Sequence, residues 1–122
     1  MEKVDFTNEI LSHLEKAVAV DPKDPYALHL LGVQQYNKKD YNAAISSFQK
    51  AESIRANFSS SNLYYLGVSL KISGKTDDAI KNLKQAVITM PKCGDDRKAS
   101  IQAKEQLRIL GVKPEEYIVE DL

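Results

Sequence analysis

The sequence predicts an all-α chain built from antiparallel helix pairs, and three observations carry that expectation. The first is a repeat. Shifting the chain by 35 residues carries Leu28 onto Leu63, Leu31 onto Leu66, Gly32 onto Gly67 and Val33 onto Val68. The same shift carries Ala44 onto Ala79, Ile45 onto Ile80, Phe48 onto Leu83 and Ala51 onto Ala86. One offset shared by large and small apolar residues is the mark of a helical repeat. The second is spacing: Ala44, Ile45, Phe48 and Ala51 fall on one face of a helix, as do Ala79, Ile80, Leu83 and Ala86. The third is punctuation. Pro22, Asp24-Pro25, Asp40, Ser59-Ser60-Ser61, Gly74, Pro91 and Gly111 stand where the periodic runs stop or start, and no stretch requires a strand.

Taken in order, the first helix runs over 6–21, with Ile10, Leu14, Ala17 and Val18 on one face. Thr7 or Asp5 is its expected cap, and Pro22 ends it because proline cannot continue the hydrogen-bond ladder. Leu14, Ala17 and Pro22 lie 34 residues before Phe48, Ala51 and Ala56, so this helix reads as the second half of a pair that lacks its first half. Asp24 and Pro25 then open a helix to about Lys38, and Asp40 caps the next, over 41–54. A serine turn starts a helix over 61–73, closed by Gly74. Thr76 is expected to cap a helix over 77–90 that stops at Pro91. Asp95 or Asp96 caps the last helix, which reaches Leu110 with Ile101, Leu107, Ile109 and Leu110 as its apolar side. Residues 112–122 form an acidic tail with Tyr117, Ile118 and Val119 at its centre.

Composition bounds the function. A chain of 122 residues suffices for one domain that buries roughly 65% of its unfolded surface. With 17 basic and 17 acidic residues there is no global field to attract nucleic acid or an anionic membrane surface. No apolar run approaches spanning length, so no membrane insertion is expected. Cys93 is the sole cysteine, which rules out an intrachain disulfide and a cysteine metal cluster and fits a reducing, cytoplasmic setting.

The motif Leu28-x-x-Leu31-Gly32 with Ala44-x-x-x-Phe48, echoed by Leu63-x-x-Leu66-Gly67 with Ala79-x-x-x-Leu83 and Pro91, resembles the tetratricopeptide repeat (TPR) family. That resemblance implies a superhelix of antiparallel helix pairs, an α-α solenoid with a C-terminal capping helix. Its parts would be a half-repeat helix over 5–22, repeats over 25–58 and 60–91, a capping helix over 95–111 and the tail. Leu28 and Leu63 stand where the family often has tryptophan, and Ala56 replaces a closing proline. The resemblance further implies a concave groove that holds a peptide or a partner helix. Candidate groove residues are Tyr26, His29, Leu30, Val33, Tyr36 and Asn37 from the first pair, and Ser61, Tyr64, Tyr65, Val68 and Ile72 from the second. Lys98, Gln102 and Glu105 of the last helix complete them. Half of the tyrosines can equally pack against a neighbouring helix. One TPR subclass grips the carboxylates of chaperone tails with Lys, Asn, Asn, Lys and Arg. The matching places here hold His29, Val33, Tyr65, Ser61, Asp95 and Ala99, so no carboxylate-clamp chaperone tail is expected.

Catalytic and cofactor readings find no support in the residues. Gly74-Lys75-Thr76 lacks the upstream glycine of a phosphate loop, since Ser69 stands there. His13 and His29 have no partner at metal-ligand spacing. No cofactor and no enzyme activity are expected. Two function classes remain: an interaction module that binds a protein or peptide in a tyrosine-rich groove, and a self-associating adaptor. In the second, the orphan first helix pairs with another copy, or the tail fills the groove.

Overall fold

Side-chain caps set where three of the helices begin. In the computed structural model, which describes residues 5–117, Asp24 Oδ1 accepts from the backbone N–H of Tyr26 at 2.9 Å and starts α2 (Pro25–Asn37). Asp40 accepts from Ala43 N at 3.3 Å and starts α3 (Tyr41–Ile54). Ser59 Oγ accepts from Asn62 N at 3.2 Å and starts α4 (Ser60–Ile72). Before them lies α1 (Thr7–Val20), where Asp5 accepts from both the backbone N–H and the hydroxyl of Thr7. After them come α5 (Thr76–Ile88), α6 (Gly94–Ile109) and a 3-10 turn over Pro114–Glu116. Among the described residues there are six α-helices and no strand.

Two expected caps fall elsewhere. Thr76 lies inside α5, whose cap position is Lys75 without a side-chain bond; Asp77 and Asp78 instead meet the dipole of the first turn. Asp96 lies inside the first turn of α6 and directs its carboxylate at α4.

Helix ends repeat as the starts do. In α2, α4 and α6 the residue after the C-cap is left-handed: Lys39 (φ 65°), Gly74 (φ 83°) and Gly111 (φ 79°). Each helix closes with the same pair of backbone bonds, such as Asp40 N to Gln35 O and Lys75 N to Leu70 O, both at 2.9 Å. The helices α2, α4 and α6 are therefore alike, and α3 and α5 pack beside α2 and α4.

Close crossings hold the pairs together. A Cβ placed on Gly32 would lie 2.5 Å from the Phe48 ring, and one on Gly67 would lie 2.7 Å from Leu83 Cγ. Phe48, Leu83, Ala44, Ala51, Ala79 and Ala86 have no exposed surface. Glycine costs a helix about 1 kcal/mol relative to alanine, and the packing against Phe48 and Leu83 offsets that.

The outer helices correct the expected faces. On α1, Ile10 and Ala17 are exposed, while Leu11, Leu14 and Val18 are half-buried against α2; nothing on this helix is fully buried. On α6, Ala99, Ala103 and Leu107 face the core, Leu110 is half-buried, and Ile101 and Ile109 point outward. Small residues sit inward there because α6 lies close on both α4 and α5. Tyr117 is buried against Leu83, Ala86, Ala103 and Leu107, and Lys84 pairs with Glu116 at 3.2 Å. The tail thus starts on the core side of α5 and α6, whereas Ile118 and Val119 lie outside the described residues.

Candidate functional site: a cleft across three helices

A cleft of about 250 Å³ runs across α2, α4 and α6, lined by His29, Leu30, Val33, Ser61, Tyr65, Asp95, Lys98, Ala99 and Gln102. The lining positions repeat with the helices. Leu30 lies 35 residues before Tyr65, which lies 37 before Gln102; Ser61 likewise lies 37 before Lys98. Because the three helices end alike, equal positions along them point the same way, and together they form one trough.

Seven of the residues singled out in the sequence come together here: His29, Leu30, Val33, Ser61, Tyr65, Lys98 and Gln102. The others do not line it. Val68 is buried in the core, because its side of α4 meets α5 and α6. Tyr64 is half-buried against the same cluster, 5.4 Å from the Tyr65 ring. Tyr36 stands between Tyr41 at 5.5 Å and Tyr65 at 5.2 Å. Burial, then the neighbouring Tyr41 and Tyr65, pushes the Tyr36 phenol above its ordinary value. Tyr26 packs edge-on to Phe58 at 5.3 Å and Asn37 is exposed near the end of α2. Ile72 borders a separate hollow with Lys39 and Tyr41, and Glu105 pairs on the surface with Arg108. Asp95 and Ala99 entered the sequence reading only as places matching the carboxylate clamp, Asp95 also as a cap, and neither was counted among the groove residues; the packing of α6 on α4 makes both part of the wall.

The floor of the cleft rests on a buried polar relay. Asn62 has no exposed surface. Its Nδ2 donates to the Phe48 carbonyl at 3.2 Å and to Glu52 Oε2 at 3.1 Å, so its Oδ1 is the acceptor that faces His29 Nδ1 at 2.9 Å. His29 therefore carries its proton on Nδ1 and leaves Nε2 as a bare acceptor. Since among the described residues no buried side-chain nitrogen lacks a partner, Nε2 reaches solvent on the cleft side. Burial lowers the His29 pKa below 6.5; the Asn62 bond and the charges of Asp96 and Asp95 oppose that shift without overcoming it. The unfolded chain takes up this proton first, so the His29 contribution to stability is whole above pH 6.5 and fades as pH falls toward the native value. An NMR titration of the ring protons is expected to place the His29 midpoint below 6.5, and a midpoint at or above 6.5 would contradict the relay.

A second polar cluster fixes the α6 wall. Asp96, 2% exposed, accepts from Ser59 Oγ at 2.9 Å, Ser61 N at 3.2 Å and Lys92 N at 3.0 Å. Burial works to raise its pKa, but these donors outweigh it and hold the carboxyl below 3.8. Lys71 Nζ donates to Gln106 Oε1 at 2.7 Å and ties the far ends of the same two helices.

Residues 34–111 match the family described as regulator of microtubule dynamics protein 1-3, which covers more than half of the chain. Three curated proteins named regulator of microtubule dynamics protein 1 are similar. The Pongo abelii protein is 30% identical over 70% of this chain and 32% of its own length. The Bos taurus protein is 28% identical over 81% of this chain and 38% of its own, and the Homo sapiens protein 29% over 70% and 32%. The chain thus spans about a third of the length of the curated relatives it matches. This finding overturns the TPR resemblance. Its motif residues are those that let two helices cross closely, Gly32 on Phe48 and Gly67 on Leu83, and that need is common to many helical families.

Proposed function

The chain belongs to the regulator of microtubule dynamics protein 1-3 family, and from that premise we propose that it is a non-catalytic module for protein interaction. Its cleft across α2, α4 and α6 holds a peptide or helix of a partner concerned with microtubule dynamics. The observation that carries this reading is the repeated trough itself. Three helices present equal positions, with Leu30, Val33 and Ala99 as apolar contacts and Ser61, Tyr65, Lys98 and Gln102 as hydrogen-bonding groups. The cleft volume of about 250 Å³ falls below the usual range for a small-molecule site, roughly 300–1,000 Å³, and suits a few side chains of an extended partner. The helix pairs are read as a short solenoid whose inner face is this trough.

The test is co-sedimentation of the chain with assembled microtubules and its binding to purified tubulin. Leu30→Glu alters a residue that is 52% exposed and leaves the core intact. It is expected to weaken capture at least tenfold, about 1.4 kcal/mol, with unchanged helix content. Lys98→Glu is expected to act in the same direction. Capture that neither substitution changes would sink the assignment of the cleft.

A further inference from the structure

We propose that the cleft selects one uncharged aromatic side chain with a hydrogen-bond donor at its tip, a tyrosine or tryptophan of the bound segment, and seats that donor on His29 Nε2. The selection rests on the reading of the cleft as the surface that holds a partner segment.

The acceptor is fixed from beneath. Asn62 has no exposed surface, and its Nδ2 is spent on the Phe48 carbonyl and on Glu52, so its Oδ1 can only accept. His29 therefore gives its one proton to Asn62, and the nitrogen it turns to the cleft carries a lone pair and no hydrogen. Three neighbouring rings hold that orientation: Phe48 at 5.8 Å, Phe58 at 6.4 Å and Tyr65 at 6.2 Å, the last two edge-on.

The walls decide what can reach it. His29 is half-buried, and Leu30 and Val33 stand beside it as aliphatic contacts. A serine or threonine hydroxyl sits on too short a stem for a recessed acceptor. An asparagine or glutamine amide would leave its second polar group unpaired against Leu30 and Val33. Lysine or arginine brings a charge that must be desolvated, and Asp95 and Lys98 offset each other, so no net field compensates it. Tyrosine and tryptophan join a rigid apolar body to a single donor, and that body suits an aromatic neighbour such as Tyr65. A volume of about 250 Å³ admits one such side chain.

Protonation reverses the selection. A second proton on the ring turns Nε2 from acceptor to donor, which repels the tip of the same side chain. The charged groups around the ring are Asp95, Asp96 and Lys98 on α6, Glu52 on α3 behind Asn62, and Lys92, whose Nζ donates to the Phe58 carbonyl. Tyr65 on α4 and Tyr26 on α2 supply the nearby phenols. Burial lowers the His29 pKa against the pull of Asp96 and Asp95, so the ring is neutral at about pH 7. The donor binds only that neutral ring. Binding is therefore full above the His29 midpoint and falls about tenfold per pH unit below it. Burial also raises the Glu52 carboxyl above 4.5, and following the His29 ring itself by NMR separates the two titrations.

The test uses the full chain and two probes that differ by one hydroxyl, N-acetyltyrosinamide and N-acetylphenylalaninamide. At about pH 7.5 the tyrosine probe is expected to shift the Leu30 and Val33 methyl signals with a Kd on the order of millimolar. The phenylalanine probe is expected to bind roughly tenfold more weakly, because it leaves Nε2 covered and unpaired. Saturation with the tyrosine probe is expected to lower the His29 midpoint, and the phenylalanine probe to move it far less. About one pH unit below the midpoint of the free ring, the preference is expected to be gone. His29→Phe keeps a ring against Phe48, Phe58 and Tyr65, removes the acceptor, and is expected to bring the two probes to equal affinity. That variant strands Asn62 Oδ1, so if its circular dichroism shows a lost fold, the pH series on the unaltered chain decides alone. Equal affinity of the two probes for the unaltered chain, a preference that survives protonation of His29, or no shift at Leu30 and Val33 would each overturn the proposal. Equal probe affinities beside tubulin capture that responds to Leu30→Glu would keep the cleft as the contact surface and remove only its selectivity. A tyrosine preference beside capture that ignores Leu30→Glu would keep the selectivity and overturn the choice of partner.

Discussion

Phe48→Ala is expected to destabilise the chain by about 3–5 kcal/mol, close to the whole stability of an ordinary domain at the low end of about 5–15 kcal/mol. Phe48 has no exposed surface, stacks on Tyr65 at 6.0 Å and fills the space that Gly32 leaves open. The reverse change makes the same point. Gly32→Ala adds a methyl 2.5 Å from a ring that cannot swing aside. Overpacking of that kind costs about 1–3 kcal/mol, against a gain of about 1 kcal/mol in helix propensity, so the net sign is destabilising. Pairing Gly32→Ala with Phe48→Leu is expected to recover part of the loss, since Leu83 is the residue nature places opposite Gly67. Urea unfolding of the two single variants and the double variant would measure a coupling of about 0.5–3 kcal/mol. Strict additivity would mean that the glycine and the ring do not share one space.

Asp96→Ala is the second large effect, expected at about 2–4 kcal/mol, because it leaves the Ser59 hydroxyl and the Ser61 and Lys92 N–H groups without their acceptor. Its neighbour Asp95 is exposed, so Asp95→Ala should stay within about 0.5 kcal/mol. Acid adds an independent reading. The unfolded carboxyl protonates near 3.8 while the native one resists, so this contribution is whole above that pH and is lost as pH falls through the native value. Asp96→Asn should flatten the acid limb of the stability curve. If thermal melts between about pH 2 and 5 kept the same limb in that variant, the cluster would not be what pins α6 to α4.

Much of this was legible in advance. Asp24, Asp40 and Ser59 mark helix starts through bonds that reach no further than three residues, and those starts stand within one residue of where the spacing put them. Gly32 and Gly67 announced close crossings because a glycine inside a helix needs a reason. Misreadings share a different cause. Thr76 and Asp96 have the chemistry of caps, yet the first lies inside its helix and the second serves another helix 35 residues away. Ile10 and Ala17 have the spacing of a core face, but burial needs a partner, and among the described residues none covers them. Val68 and Tyr64 sit on the same helix as Tyr65 and differ from it in which neighbour they meet.

Local chemistry thus settles the all-α character, the order of the helices and their crossing points, since each depends on contacts within one turn or one pair. The family emerged from comparison, because packing motifs recur across unrelated helical proteins. Membership of the cleft came from the fold. Asp95, Ala99 and Lys98 join His29 and Leu30 when Asp96 draws α6 onto the start of α4, a long-range bond that no short-range pattern encodes.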